Sequence, residues 1–124
     1  KVKIEIPEVA LLGLVSEDLY VPELNFVFGL ASSSSGSCII SLARLRSHHG
    51  GPRKTQSGIS EKIYFNRILI EAVHELGHTI YFLNHCENKN CVMHFSNSLR
   101  ETDEKGENFC KTCKSKIKSI KKLQ

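Results

Sequence analysis

Five residues, His74-Glu75-Leu76-Gly77-His78, carry the chemistry that is easiest to read from this chain. On a helix, positions four apart lie one above the other on the same face, so both imidazoles can reach one zinc ion. Glu75 stands about 100° round the helix, close enough to hold a zinc-bound water and take its proton. Zinc lowers the pKa of such a water from about 15.7 toward about 7, which makes hydroxide available at neutral pH.

Two imidazoles do not complete such a site, and His85 is the candidate third ligand. On an unbroken helix His85 would stand about 10 Å beyond His78 along the axis. Zinc–nitrogen bonds are about 2.0–2.1 Å, so the helix must end between His78 and His85 and the chain must turn back.

An HExxH, a third His and a nearby Met resemble the metzincin zinc peptidases. The resemblance is closer to one branch, the archaemetzincins, which carry a Cys after the third His, a Cys-x-x-x-x-Cys-x-Met run and a later Cys-x-x-Cys. Here these are His85-Cys86, Cys91-Val92-Met93 and Cys110-Lys111-Thr112-Cys113, spanning residues 74–113 with the motif. Weaker similarity runs back through Asp18-Leu19-Tyr20, residues 25–29 and residues 41–46. One departure falls inside the motif. The family has Gly three residues after the second His and the third His three residues after that Gly. Here Tyr81 occupies the Gly position and one extra residue precedes His85. Asn84 best tolerates the left-handed turn that Gly normally supplies. The turn is therefore expected at Leu83-Asn84, with His94 as the substitute ligand if His85 falls away.

The resemblance implies an α/β (α+β) fold: a metzincin-like twisted mixed sheet, an active-site helix and a C-terminal helix. A peptide substrate would pair with an edge strand, either residues 25–29 or residues 38–45. Met93 would form the turn beneath the zinc. Cys86, Cys91, Cys110 and Cys113 form two pairs whose spacing suits tetrahedral thiolate coordination. Such a closed site is structural, and it would pin the C-terminal helix to the loop that carries His85. Two disulfides or free thiols are the alternative. Because His85 and Cys86 are neighbours assigned to different metals, the two sites should be mechanically coupled. The expected function is zinc-dependent peptide hydrolysis by a metallopeptidase. His74, His78 and His85 hold a catalytic Zn2+, Glu75 acts as general base, and a second Zn2+ is structural. The rival readings are a zinc-stabilised binding module and a metzincin fold without activity.

Length and composition set the frame. A chain of 124 residues, 40% hydrophobic and 24% charged, reads as one soluble domain, 1–124. No apolar run is long enough for a membrane span, and there is no signal-peptide pattern. Residue 1 is Lys and Met93 is the only Met, so an N-terminal segment is expected to be missing. Five cysteines, an odd number, favour metal over a disulfide framework and point to the cytoplasm. The formal charge of +4 is modest, although six Lys and no acid follow from Lys111 onward. Aromatics do not interleave with these lysines, so nucleic acid is not an expected partner. A monomer acting on peptides is expected. The natural substrate, endo versus exo cleavage and side-chain preference stay open.

The elements that must position these residues read as follows. Residues 1–6 alternate charged and apolar and suggest a strand ended by Pro7; residues 8–15 are ambiguous. Residues 24–31 and 38–45 suggest strands joined by a Ser-rich hairpin loop, the second one central. Cys38 in that strand reads as a small buried hydrophobe. Residues 47–58 form a long loop in which His48 and His49 read as solvated. Ser60 is a plausible N-cap, with Glu61 in the first turn. Phe65, Leu69, Ala72, Leu76 and Ile80 suggest the buried face of the following helix, with His74 and His78 pointing away from it. After Met93 the chain reads as polar to Asn108. A last helix should begin near Cys110, with Ile117, Ile120 and Leu123 as its apolar stripe.

Overall fold

In the computed structural model, which describes residues 10–47 and 60–122, five strands precede three helices. β1 is Leu11–Val15, β2 Leu19–Val21, β3 Leu24–Val27, β4 Gly29–Ser32 and β5 Ser37–Ser41. α1 is Glu61–Tyr81, α2 Leu99–Lys105 and α3 Lys111–Lys122. The expected strand over residues 1–6, the histidines 48 and 49, and Leu123 lie outside the described residues.

The main sheet has the order β1-β5-β4 and is mixed. β1 runs parallel to β5, with Leu11 opposite Ser37 and Val15 opposite Ser41. β4 runs antiparallel to β5, with Gly29 opposite Ile40 and Ser32 opposite Ser37. The Ser-rich tract is the hairpin turn between them, and Gly36 takes the left-handed φ of 68° that closes it. The ambiguous residues 11–15 are thus a strand. The expected strand over 24–31 is instead two strands broken at Phe28, and they serve different sheets. Among the described residues β3 pairs only with β2, across a tight turn at Pro22-Glu23. The other expected strand ends at Ser41, where the Ser41 hydroxyl donates to the Glu17 carbonyl at 2.6 Å and accepts from the Ala43 amide. Those bonds begin the turn that follows.

β5 is central, as its apolar run suggests, and Ile40 is fully buried. Among the described residues β4 is an edge of the main sheet, and it holds Gly29 of the first candidate edge. Residues 25–27 of that candidate lie on β3 in the other sheet, while the second candidate, residues 38–45, falls on the central strand β5 and the turn after it.

α1 packs against β4 and β5. Its N-cap is Ser60, whose Oγ accepts from the Ile63 amide at 3.2 Å. The face it buries is not the expected one. Phe65 is 60% exposed and Leu69 47% exposed, while Tyr64, Arg67, Ile70, Glu71, His74 and Glu75 are buried. The histidines therefore point into the protein rather than away from it. Burying a polar face is tolerable because its groups are partnered. Arg67 forms a fork with Asp103, at 2.9 and 2.8 Å, and donates to the Leu45 and Ser47 carbonyls. Glu71 accepts from the Thr102 hydroxyl, and Thr79 donates to the Glu75 carbonyl.

Two apolar clusters flank this face. Ile70, Leu83, Cys91, Val92, Met93 and Cys113 form one; Phe28, Leu45, Tyr64 and Leu99 form the other. α2 lies in the stretch that reads only as polar. Its N-cap, Ser98, accepts from the Glu101 amide, and Glu101 reaches back to the Asn97 amide. Ser98-Leu99-Arg100-Glu101 is a capping-box spacing, which was the available signal. α2 also delivers three polar groups to α1: Thr102, Asp103 and Lys105.

Candidate metal centre

α1 ends at Tyr81, and Phe82 takes the left-handed conformation, φ 54° and ψ 29°. The turn therefore falls at Phe82, not at Asn84. Phe82 is three residues before His85, which is the family's own spacing from its Gly to its third His. The extra residue lengthens the helix and leaves the turn-to-ligand distance intact. The Phe82 and Leu83 amides both donate to the Gly77 carbonyl, which holds the reversal.

The reversal brings the three imidazoles together, with ligand atoms of His74, His78 and His85 all within 4.8 Å of one another. His74 Nδ1 donates to the Val92 carbonyl and His78 Nδ1 to the Leu83 carbonyl, each at 2.6 Å. A carbonyl only accepts, so both protons sit on Nδ1 and both Nε2 atoms present lone pairs. Those two Nε2 atoms face each other at 3.2 Å. Facing lone pairs repel unless a cation lies between them. Two nitrogens at about 2.0–2.1 Å from a tetrahedral zinc stand about 3.3 Å apart. The donor set fits that ion. His85 is packed against Phe95, ring centroids 5.1 Å apart. His94 is not brought in: its Nδ1 donates to the Cys86 carbonyl at 2.7 Å.

The site is buried enough to perturb its groups. Burial, with the Lys105 ammonium next in weight, lowers the His74 pKa to about 3. Lys105 Nζ lies 3.4 Å from His74 Nδ1, but that N–H already donates elsewhere, so the contact is electrostatic. Burial also lowers the pKa values of His78 and His85. The lowering favours the neutral imidazole, the form that binds a metal. Burial pushes Glu75 up to about 8; the Glu71 carboxylate adds to this and Lys105 opposes it.

Two glycines let the parts approach. A Cβ on Gly29 would lie 2.5 Å from Glu75 Oε2 and 2.8 Å from the Ile39 carbonyl oxygen, so the Glu75 carboxyl rests against bare backbone of β4. A Cβ on Gly77 would lie 2.5 Å from the Met93 sulfur, so the fully buried Met93 packs directly beneath the helix turn that carries His74 and His78.

The four expected cysteines form a second cluster, their sulfurs within 4.8 Å of one another. Cys86 and Cys110 are 3.8 Å apart, Cys91 and Cys113 3.7 Å apart, and none is in a disulfide. Sulfurs about 2.3 Å from a tetrahedral zinc stand about 3.8 Å apart, so this donor set also fits. The Cys113 amide, bonding the Cys110 sulfur, brings that thiol down to about 7, whereas burial raises Cys113 and Cys86. Cys38 is buried in β5 and apart from both clusters.

A cleft of about 420 Å³ opens over the histidines, lined by β4 residues Gly29, Leu30 and Ala31 on one side and by Phe95, Ser96 and Lys105 among others. Lys105 and Ser96 are cleft residues that the sequence did not reveal, because neither belongs to a motif of its own.

Comparison with known proteins agrees with this geometry. The model of Peptidase family M54 matches residues 2–119. An archaemetzincin of Methanopyrus kandleri is 46% identical over 102 residues, 82% of this chain and 51% of the relative. The crystal structure of archaemetzincin from that organism superposes with a TM-score of 0.77 at 42% identity, covering 91% of this chain and 56% of the other. A zinc-dependent peptidase from Methanocorpusculum labreanum superposes with a TM-score of 0.76 at 34% identity, covering 87% and 53%. The chain thus spans about half the length of the curated relatives it matches. With residues 2–119 of the chain matched by the family model and archaemetzincins aligned across most of the chain, it belongs to Peptidase family M54.

Proposed function

We propose that the chain hydrolyses peptide bonds at a zinc ion held by His74, His78 and His85, and that Cys86, Cys91, Cys110 and Cys113 hold a second, structural zinc. The observation that carries this reading is the pair of Nε2 lone pairs 3.2 Å apart, both fixed in the ligating tautomer by carbonyls, with His85 beside them. When bound, zinc would polarise the scissile carbonyl and make hydroxide available near neutral pH.

The remaining work falls to the chain's own groups. Glu75 takes the proton of the attacking water and returns it to the leaving amine. A nearby dication favours the ionised carboxylate, against the burial that raises its pKa. β4 is a free edge of the main sheet in the described residues and borders the cleft, so an extended peptide can add to it through main-chain hydrogen bonds. Met93 supplies a packed floor and no chemistry. The five unpaired thiols suit a reducing compartment, the cytoplasm. Among the described residues no helix is long and apolar enough to cross a membrane.

Glu75→Gln tests the mechanism. It should keep the zinc content of the wild type and lower peptide turnover by at least about 10²-fold, the scale of a lost general base. Undiminished hydrolysis of a peptide mixture by this variant would refute the role of Glu75.

A further inference from the structure

Among the described residues, Phe82 is the one non-glycine residue with a positive φ, a conformation that helix ends normally give to Gly or Asn. The core does not explain the choice of Phe there. The residue belongs to neither apolar cluster and is 38% exposed. It lines the cleft, and its chain neighbour Leu83 supplies the carbonyl that orients His78. A side chain kept at a backbone cost, outside the core and one residue from a reaction centre, points to a use for that side chain. Two more apolar residues line the same cleft from the β2–β3 hairpin. Val21 and Leu24 are paired directly across its turn, so they stand on one face as a single patch. Leu24 is as exposed as Phe82. The charged residues that line the cleft, Glu71, Glu75 and Lys105, are all buried. The accessible mouth is therefore uncharged, with apolar side chains open to solvent.

Such surface is stabilised only when another apolar group covers it. The occupant follows from the cleft's position: a peptide that adds to β4 with its scissile bond at the histidines crosses this mouth. Resting on the peptidase reading above, we propose that Phe82, Val21 and Leu24 form an apolar subsite for a large apolar side chain adjacent to the scissile bond. Phe82 is its specificity-determining residue. The left-handed turn then carries a ring because glycine, which fits the backbone better, has no side chain to offer the substrate.

Free-ended peptides of Gly, Ala and Ser that differ only in one central residue, Phe, Leu, Gln or Asp, test this on the zinc-loaded protein. Bonds flanking the varied residue should be cleaved with kcat/KM about tenfold higher for Phe and Leu than for Gln and Asp. Phe82→Gly deletes the ring and keeps the turn, since glycine adopts the left-handed conformation freely. It should cut the preference to about threefold or less at unchanged zinc content, through a higher KM for the Phe and Leu peptides at similar kcat. Leu24→Ser, on a different element, should weaken the preference in the same direction, and it decides alone if Phe82→Gly loses zinc. Cleavage of all four peptides within about twofold of one another overturns the subsite. So does a preference that the deciding substitution leaves unchanged, or one that persists while turnover of all four falls equally, the mark of a ring that only braces the turn. In each of these cases hydrolysis itself persists, and only this inference falls. A wild type that holds zinc and cleaves neither these peptides nor a peptide mixture takes the peptidase reading down with it.

Discussion

Phe82 shows how a motif can lose its usual residue and keep its geometry. A left-handed conformation costs a non-glycine residue roughly 1–2 kcal/mol, and Phe82 adopts it at φ 54°. The Gly77 carbonyl, bonded by two successive amides, holds it there. Phe82→Gly should raise the stability of the zinc-loaded protein by up to about 1 kcal/mol, since the added backbone freedom of glycine offsets part of the gain. Urea unfolding would measure it, and a loss of stability would mean that the ring's contacts outweigh the strain. Gly29 makes the opposite case. Its substitution by Ala places a methyl against Glu75 and against a carbonyl oxygen of β5 that cannot move aside. Turnover should fall about 10²-fold, because the base is displaced, while zinc stays bound. The ligand residues were legible because chemistry fixes their types and spacing. Phe82 was not, because any residue can be forced into a turn that its surroundings over-determine. Lys105 was not, because only the packing of α2 on α1 brings it to the cleft.

At the scale of elements, α1 misleads a reader who equates apolar spacing with burial. Its stripe of Phe65 and Leu69 is exposed, and its polar stripe is inside. The explanation lies in partners that a helix does not announce on its own: Asp103 and Thr102 from α2, and carbonyls of residues 45, 47, 92 and 83 from loops. Arg67 is the clearest of these. It is 2% exposed and ties α1 to α2 and to the turn after β5. Arg67→Met should cost about 3 kcal/mol of stability, by removing the donor of two buried carbonyls and the fork that joins α1 to Asp103. Denaturant unfolding that shows a loss below about 1 kcal/mol would contradict this account of the buried face. The strands were legible as apolar runs, but their sheet membership was not. Nothing local to residues 24–31 says that the chain changes sheets at Phe28.

For the molecule as a whole, the two donor clusters share one loop. Cys86 follows His85, and Cys91 precedes Val92, whose carbonyl orients His74. The Cys86 amide donates to the Met93 carbonyl, and His94 donates to the Cys86 carbonyl. Of α3, Cys113 is buried and Ile117 packs against the core, so the four-cysteine cluster is its main anchor. Structural zinc in small peptides contributes about 10–16 kcal/mol at neutral pH, far more than those contacts supply. Cys110→Ser with Cys113→Ser should therefore release α3 and also weaken metal binding at the histidines. Hydrogen exchange over residues 83–94 should rise, and unchanged protection there would show the clusters to be independent.

The central claim is that three imidazoles share one ion and four thiolates share another. Zinc-to-protein stoichiometry, measured on the wild type, on His74→Ala with His78→Ala and on the Cys110/Cys113 double variant, addresses it most directly. The account predicts two ions per chain in the wild type and one in the histidine variant, with at most one in the cysteine variant. A single ion in the wild type that survives loss of both histidines would contradict it.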